Sequence, residues 1–141
     1  MRGGVGLESW VSELLTGMTR VYSEQLAFYE RLYEMTLLEQ SAILAGDAVG
    51  LAELLHLEDE VIFQARQLEE VQRGMREMLQ SVLPVRHLGM DQLACLTEPR
   101  VYIKFEQVLA ALKTTLARAE EQKKHNILAM GEKGGLLSGS H

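Results

Sequence analysis

The amino-acid sequence predicts an all-α fold: an antiparallel bundle of long helices, formed by a two-helix hairpin and a third C-terminal helix. Strong helix formers such as Leu, Glu, Ala, Gln and Met are plentiful, and the 141 residues include only 2 prolines, at Pro84 and Pro99. Few positions therefore interrupt a helical backbone. Apolar residues also recur three or four positions apart over long stretches, which places them on one face of a helix. The length suits one domain, which we expect to span residues 1–141.

The first helix is predicted over about residues 7–45, and neither glycine nor proline interrupts residues 18–45. One row of its apolar stripe consists of Val11, Leu14, Met18, Val21, Phe28, Leu32 and Met35, with Gln25 filling one slot. A helix of about 35 residues is roughly 50 Å long at ~1.5 Å per residue. Such a helix needs partners of similar length, which is typical of a bundle.

The turn after this helix is predicted at Gly46 and Asp47. Glycine can take the left-handed conformation that closes a helix, and aspartate can accept from the free amides that open the next one. The apolar pattern then resumes, which predicts a second helix over about residues 48–82. So short a turn forces the two helices to run antiparallel.

A connector is predicted over residues 83–97, beginning near Pro84 and containing one helical turn after Asp91. Thr97, Glu98 and Pro99 then resemble an N-cap followed by a proline in the first helical turn. They predict a third helix over about residues 98–130. The glycine-rich residues 131–141 are predicted to be a flexible tail.

Charge and composition exclude several classes of function. The net charge is −6 and the basic residues are scattered, which argues against nucleic-acid binding. The apolar runs are far shorter than the ~20 residues that span a bilayer, so no membrane insertion is expected. The N-terminus lacks the apolar stretch of a signal peptide, and Cys95 is alone and cannot form an internal disulfide. We therefore expect a cytoplasmic protein.

No catalytic, cofactor or metal site is predicted. Glu53 and His56 have the Glu-x-x-His spacing of a di-iron bundle, but such a site needs that motif twice and two further glutamates. A second copy is absent, because Glu121 and His125 are four residues apart. A surface pair is the favoured interpretation of Glu53 and His56, and an enzyme is not expected. A metal-carrying bundle stays a third hypothesis, which predicts bound metal that depends on these two residues.

Three segments of the hairpin resemble the FlgN-type flagellar export chaperones. They are residues 39–47 (EQSAILAGD), residues 51–55 (LAELL) and residues 68–73 (LEEVQR). They resemble the family's L-x-x-G-D turn, the L-x-x-L opening of its second helix and a later L-E-x-x-R stretch. The third helix is similar in type, with Asn126 in the place of an asparagine often present there.

This resemblance implies a cytoplasmic chaperone for flagellar hook-associated (junction) proteins that await type III export, with the export apparatus as a second candidate partner. Family members hold C-terminal helical segments of those substrates mainly through their own C-terminal region, without a cofactor. The corresponding surface here consists of Leu109, Leu112, Leu116, Ile127, Leu128 and Met130. The alternative is a structural coiled-coil module, in which the hairpin forms homo-oligomers and has no role in export.

Overall fold

The computed structural model describes residues 2–82 and 90–139, with side chains over residues 6–81 and 93–132. This part of the chain forms four helices and no strand, which confirms the predicted all-α bundle. The helices are α1 (Arg2–Ala45), α2 (Ala48–Val82), α3 (Met90–Leu96) and α4 (Pro99–Gly139). The stop predicted at Pro84, residues 83–89 of the predicted connector and residues 140–141 of the predicted tail lie outside the described residues.

Two helix bounds differ from those expected: α1 begins at Arg2 instead of about residue 7, and α4 continues to Gly139 instead of ending near residue 130. The helical turn predicted after Asp91 lies within α3. A glycine within a helix costs about 1 kcal/mol relative to alanine, but it ends the helix only when it turns left-handed. Among the described residues only Gly46 has a positive φ. The helical backbone therefore passes through the glycines near both ends of the chain.

The turn between α1 and α2 has the predicted chemistry. Gly46 has a φ of 68°, and its amide donates to the carbonyl of Ile43 at 3.1 Å. The amide of Asp47 donates to the carbonyl of Ala42 at 2.9 Å, which completes the Schellman pattern of a helix end. The Asp47 carboxylate then accepts from the Gly50 amide at 2.9 Å and caps α2. The turn predicted at Gly46 and Asp47 is confirmed.

The chain divides into two compact units. Unit 1 consists of Met1–Leu26 and Arg66–Leu112, and unit 2 consists of Ala27–Ala65 and Lys113–His141. Each unit contains one segment each of α1, α2 and α4, and unit 1 also contains α3. Each unit therefore has a core of its own, built from helices that are distant in sequence.

The buried positions of the three long helices repeat every seven residues. This period is typical of helices that pack side by side with interlocking side chains. In α1 the buried rows are Val11, Met18 and Gln25, with Glu39 two steps of seven further on, and Leu15, Tyr22, Tyr29, Thr36 and Ile43. The others are Glu58, Ala65, Gln72 and Leu79 in α2, and Phe105, Leu112, Ala119 and Asn126 in α4. Polar and even charged side chains thus occupy core positions that a purely apolar stripe would fill with Leu or Val.

Unit 1 combines an aromatic contact with a buried amide pair. The rings of Tyr22 and Phe105 meet edge to face at a centroid distance of 5.7 Å, and Arg76 donates to the Tyr22 hydroxyl at 3.1 Å. The Gln72 amide donates to the side-chain oxygen of Gln25. Since a buried amide is costly without a partner, this pair favours one pairing of α1 with α2 over shifted ones.

Candidate partner-binding site

The six residues expected to bind a partner all lie on α4, but they differ in exposure. Leu112 is buried at 7% exposure, whereas Ile127 and Leu128 are 54% and 66% exposed. The remaining three, Leu109, Leu116 and Met130, are half-buried. A row seven residues apart contains those three together with Lys123. In the free chain, Ile127 and Leu128 therefore present the most apolar surface of the six.

A buried ion cluster holds this part of α4 against the hairpin of unit 2. Lys123 Nζ lies 2.8 Å from Glu39 Oε1 of α1 and 2.8 Å from Glu58 Oε1 of α2. Glu39 is completely buried and Glu58 is 5% exposed, while the Lys123 side chain keeps 29% of its surface in solvent. One ammonium group thus joins all three helices of the unit, and it does so one turn before Ile127.

The cluster contains two carboxyl groups and only one cation. Burial, and then a hydrogen bond to Glu58, raise the pKa of Glu39 to about 7, although Lys123 acts in the opposite direction. Glu39 Oε2 and Glu58 Oε2 are both buried and lack a hydrogen-bond partner within the described residues. A proton on Glu39 supplies the missing donor between the two carboxyl groups. Near neutral pH the cluster therefore alternates between a neutral form and a form with one excess negative charge.

The ammonium group itself stays charged. Burial acts to lower the pKa of Lys123, but its hydrogen bonds to Glu39 and Glu58 outweigh that effect and the pKa is raised. The favourable geometry of two short charge-assisted bonds compensates the desolvation of the amine. Lys123 can therefore act as a permanent cation at the centre of the unit.

Asn126 provides a second polar anchor one turn further along α4. It is 1% exposed, and its Nδ2 donates to the main-chain carbonyl of Thr36 at 2.8 Å. Its side-chain oxygen accepts from Gln122 at 3.1 Å. Asn126 and Thr36 are 90 residues apart in sequence, on α4 and α1. The hydrogen bond between them therefore fixes both the rotation and the register of α4 on α1. This fixed rotation turns Ile127 and Leu128 towards solvent.

The sequence contains a signal for Lys123 and Asn126 that a search for apolar residues at helical spacing misses, because both side chains are polar. Extending the row Phe105, Leu112 and Ala119 by seven residues leads directly to Asn126. Extending the half-buried row of Leu109 and Leu116 by the same step leads to Lys123. The partner of Lys123, Glu39, lies in the segment that resembles the chaperone family.

A metal site of the di-iron type finds no support among the residues that the structure describes. Glu53 and His56 are both exposed, and His56 Nε2 lies 3.6 Å from Glu60 across one helical turn. In α4, His125 Nε2 lies 3.6 Å from Glu121 in the same way. Within the described ranges no three His, Cys, Asp or Glu side chains come together as metal ligands.

A groove in unit 2 is formed by α1 and α2 without any residue of α4. It has a volume of about 360 Å³, with Met35 and Val61 among its lining residues. Leu38 and Leu57, which also line it, are 56% and 50% exposed. The unit therefore has a second partly apolar surface, on the hairpin itself.

The model of the FlgN protein family matches residues 14–132 of the chain. Comparison with curated proteins and with solved structures gives no match. None of the helices in the described part of the chain is long and apolar enough to cross a membrane. The matched range contains the turn at Gly46, the two glutamates of the ion cluster, and Lys123 and Asn126. The chain therefore belongs to the FlgN family, whose role is that of a flagellar export chaperone.

Proposed function

We propose that this protein is a cytoplasmic export chaperone that binds the C-terminal helical segments of flagellar hook–filament junction proteins before type III secretion. The observation that carries the proposal is the pair Ile127 and Leu128, exposed on a helix whose rotation is fixed by Lys123 and Asn126. A helix that presents apolar side chains in a fixed orientation suits an amphipathic helix of a partner. Membership of the FlgN family supports a flagellar partner.

The half-buried residues Leu116 and Met130 flank this pair in unit 2, and a substrate helix would cover their remaining exposed area together with the pair. Leu109, on the segment of α4 in unit 1, is a further proposed contact residue. Leu112 contributes from within, because its burial supports the helix that carries the surface. Binding of this kind would order a C-terminal segment and keep it from premature assembly, at an entropic cost that limits affinity and permits release.

The proposed function is tested by titrating the purified chain with a junction protein in a calorimeter. The matched control is the same junction protein without its C-terminal helical segment. We expect saturable binding of the full-length junction protein and loss of binding when the segment is removed. Undiminished binding of the shortened protein, or no binding of either, would contradict the proposal.

A second candidate function is a self-association module, favoured by the groove that Leu38 and Leu57 line on the hairpin. A second copy of the chain could cover these leucines. Analytical ultracentrifugation of the chain alone distinguishes the two functions. Self-association predicts a sedimentation coefficient that rises with protein concentration in the absence of any junction protein. The export chaperone does not require such a rise.

A further inference from the structure

Unit 1 contains a cleft between α1 and α4 in which all charged lining residues are basic. It has a volume of about 440 Å³, and its lining residues are Thr16, Thr19, Arg20, Ser23, Arg100, Val101 and Lys104. Clefts of ~300–1,000 Å³ are typical of binding sites. No carboxylate lines it, although the chain as a whole has a net charge of −6. The cleft therefore concentrates positive charge on an otherwise acidic protein.

The three cations of the cleft are available to a ligand. Arg20, Arg100 and Lys104 are exposed and form no ion pair with any carboxylate in the described part of the chain. By contrast, Arg73 is paired with Glu70, and Lys123 with Glu39 and Glu58. Because two of the three cations are arginines, they can form bidentate hydrogen bonds with a carboxylate.

The remaining lining residues do not compete for an anion. The hydroxyls of Thr16, Thr19 and Ser23 each donate to a main-chain carbonyl four residues earlier, at 2.8 Å. The threonine methyl groups and Val101 add apolar surface among the charges. Arg100 and Val101 also lie in the first turn of α4, where the helix dipole adds positive potential. Cations surrounding a partly apolar wall fit an amphipathic peptide with carboxylates along one side.

We propose that this cleft in unit 1 binds an acidic amphipathic segment of a partner protein. The site is additional to the proposed substrate surface of α4, whose exposed pair, Ile127 and Leu128, lies in unit 2. We favour a protein segment as the ligand, because the cleft is lined by only three cations, Arg20, Arg100 and Lys104. Duplex nucleic acid and anionic membranes are bound by broader basic surfaces than three cations provide, and the net charge of −6 opposes both. The proposal does not depend on the identity of the flagellar substrate.

The test uses fluorescence anisotropy with two synthetic helical peptides. One carries glutamates at positions i, i+3 and i+7 beside an apolar stripe, and the other carries lysines at the same positions. We expect the glutamate peptide to bind, with an affinity that falls as the salt concentration rises, and the lysine peptide not to bind. The double variant Arg100→Glu/Lys104→Glu should weaken binding by about tenfold or more, since it reverses two charges that face the peptide.

The control variant is Lys113→Glu/Arg118→Glu, which changes the net charge equally on exposed positions of the same helix. It should bind the glutamate peptide within about twofold of wild type, because distant surface charges are screened. The neutral variant Arg100→Gln/Lys104→Gln should be intermediate between wild type and the reversed pair. Circular dichroism checks that all variants keep their helical content.

Equal weakening by the cleft and control variants would overturn the proposal, as would equal binding of the two peptides. Preferential binding of the wild-type chain to anionic phospholipid vesicles would replace the peptide with a membrane as occupant. If junction proteins still bind while the glutamate peptide does not, only this inference fails. If the peptide binds and junction proteins do not, only the proposed function fails.

Discussion

Replacing Lys123 with methionine is expected to lower the free energy of unfolding by about 3–5 kcal/mol at mildly alkaline pH, the cost typical of breaking a buried ion pair by removing one partner. The substitution leaves Glu39 and Glu58 buried at 0% and 5% exposure without a cation between them. Chemical denaturation followed by circular dichroism measures the loss. The matched control is Lys124→Met, one residue further on α4 at an exposed position. It should change stability by less than about 0.5 kcal/mol.

A rescue experiment separates the electrostatic cause from a loss of packing. Lys123→Met combined with Glu39→Gln and Glu58→Gln removes the uncompensated charges and keeps the shapes of the side chains. Most of the lost stability should return, because an uncharged buried cluster is less costly than a broken one. A triple variant no more stable than Lys123→Met alone would assign the loss of stability to the packing of the Lys123 side chain and contradict its electrostatic cause.

The second large effect concerns pH. The pKa of Glu39 is raised from 4.5 to about 7, so the folded protein binds its proton more tightly than the unfolded chain does. The corresponding stabilisation is complete below about pH 4.5 and is lost as the pH rises through about 7. Glu39→Gln keeps a permanent donor at this position and removes the titration. The stability of this variant relative to wild type should therefore increase by about 2–3 kcal/mol between those two pH values and then level off.

The measurement is the difference in unfolding free energy between Glu39→Gln and wild type at several pH values. The difference cancels the titration of the other carboxyl groups. Glu30→Gln serves as the control, since Glu30 is an exposed residue on the same segment of α1. This control reports any effect of an exposed Glu→Gln substitution that is unrelated to the cluster. A difference for Glu39→Gln that does not change with pH would mean that Glu39 is ionised throughout this range and that the cluster holds a full negative charge.

The hairpin could be predicted from sequence because its determinants are local. The left-handed glycine, the capping aspartate and the resumption of apolar spacing all fall within a few residues of Gly46 and Asp47. The ends of α4 and α1 were harder to predict, since a glycine-rich stretch is compatible with either a helix or a coil. The outcome there depends on the backbone angles that each glycine adopts.

The interior of unit 2 could not be predicted from apolar periodicity. Lys123 finds its partners 84 and 65 residues away in sequence, and Asn126 finds its partner 90 residues away. A charged residue at a core position is stable only when such partners arrive from other helices, and no local pattern shows that they do. The same limitation applies to the partner surface, because the sequence alone does not decide which of the six apolar residues on α4 the hairpin buries. Packing against the hairpin buries Leu112 and leaves Leu128 exposed.

The structural roles of Lys123 and Asn126 limit which variants can test the binding surface. Truncating the chain after residue 119 would remove three proposed contacts, Ile127, Leu128 and Met130. It would also remove Lys123 and Asn126 and leave Glu39 and Glu58 without their cation. A loss of binding could then result either from the missing contact residues or from the destabilisation of unit 2. Point substitutions at exposed residues avoid this ambiguity.

The most direct test of the central claim is the affinity of a junction protein's C-terminal segment for Ile127→Asp/Leu128→Asp. The control, Val49→Asp/Phe63→Asp, places the same two charges on similarly exposed positions of the hairpin, at 72% and 63% exposure. We expect the α4 variant to bind about tenfold or more weakly than wild type, as for central contacts of an interface, and the control to bind about as wild type does. Equal affinities of the α4 variant and wild type, or equal weakening by both variants, would contradict the assignment of substrate binding to this surface.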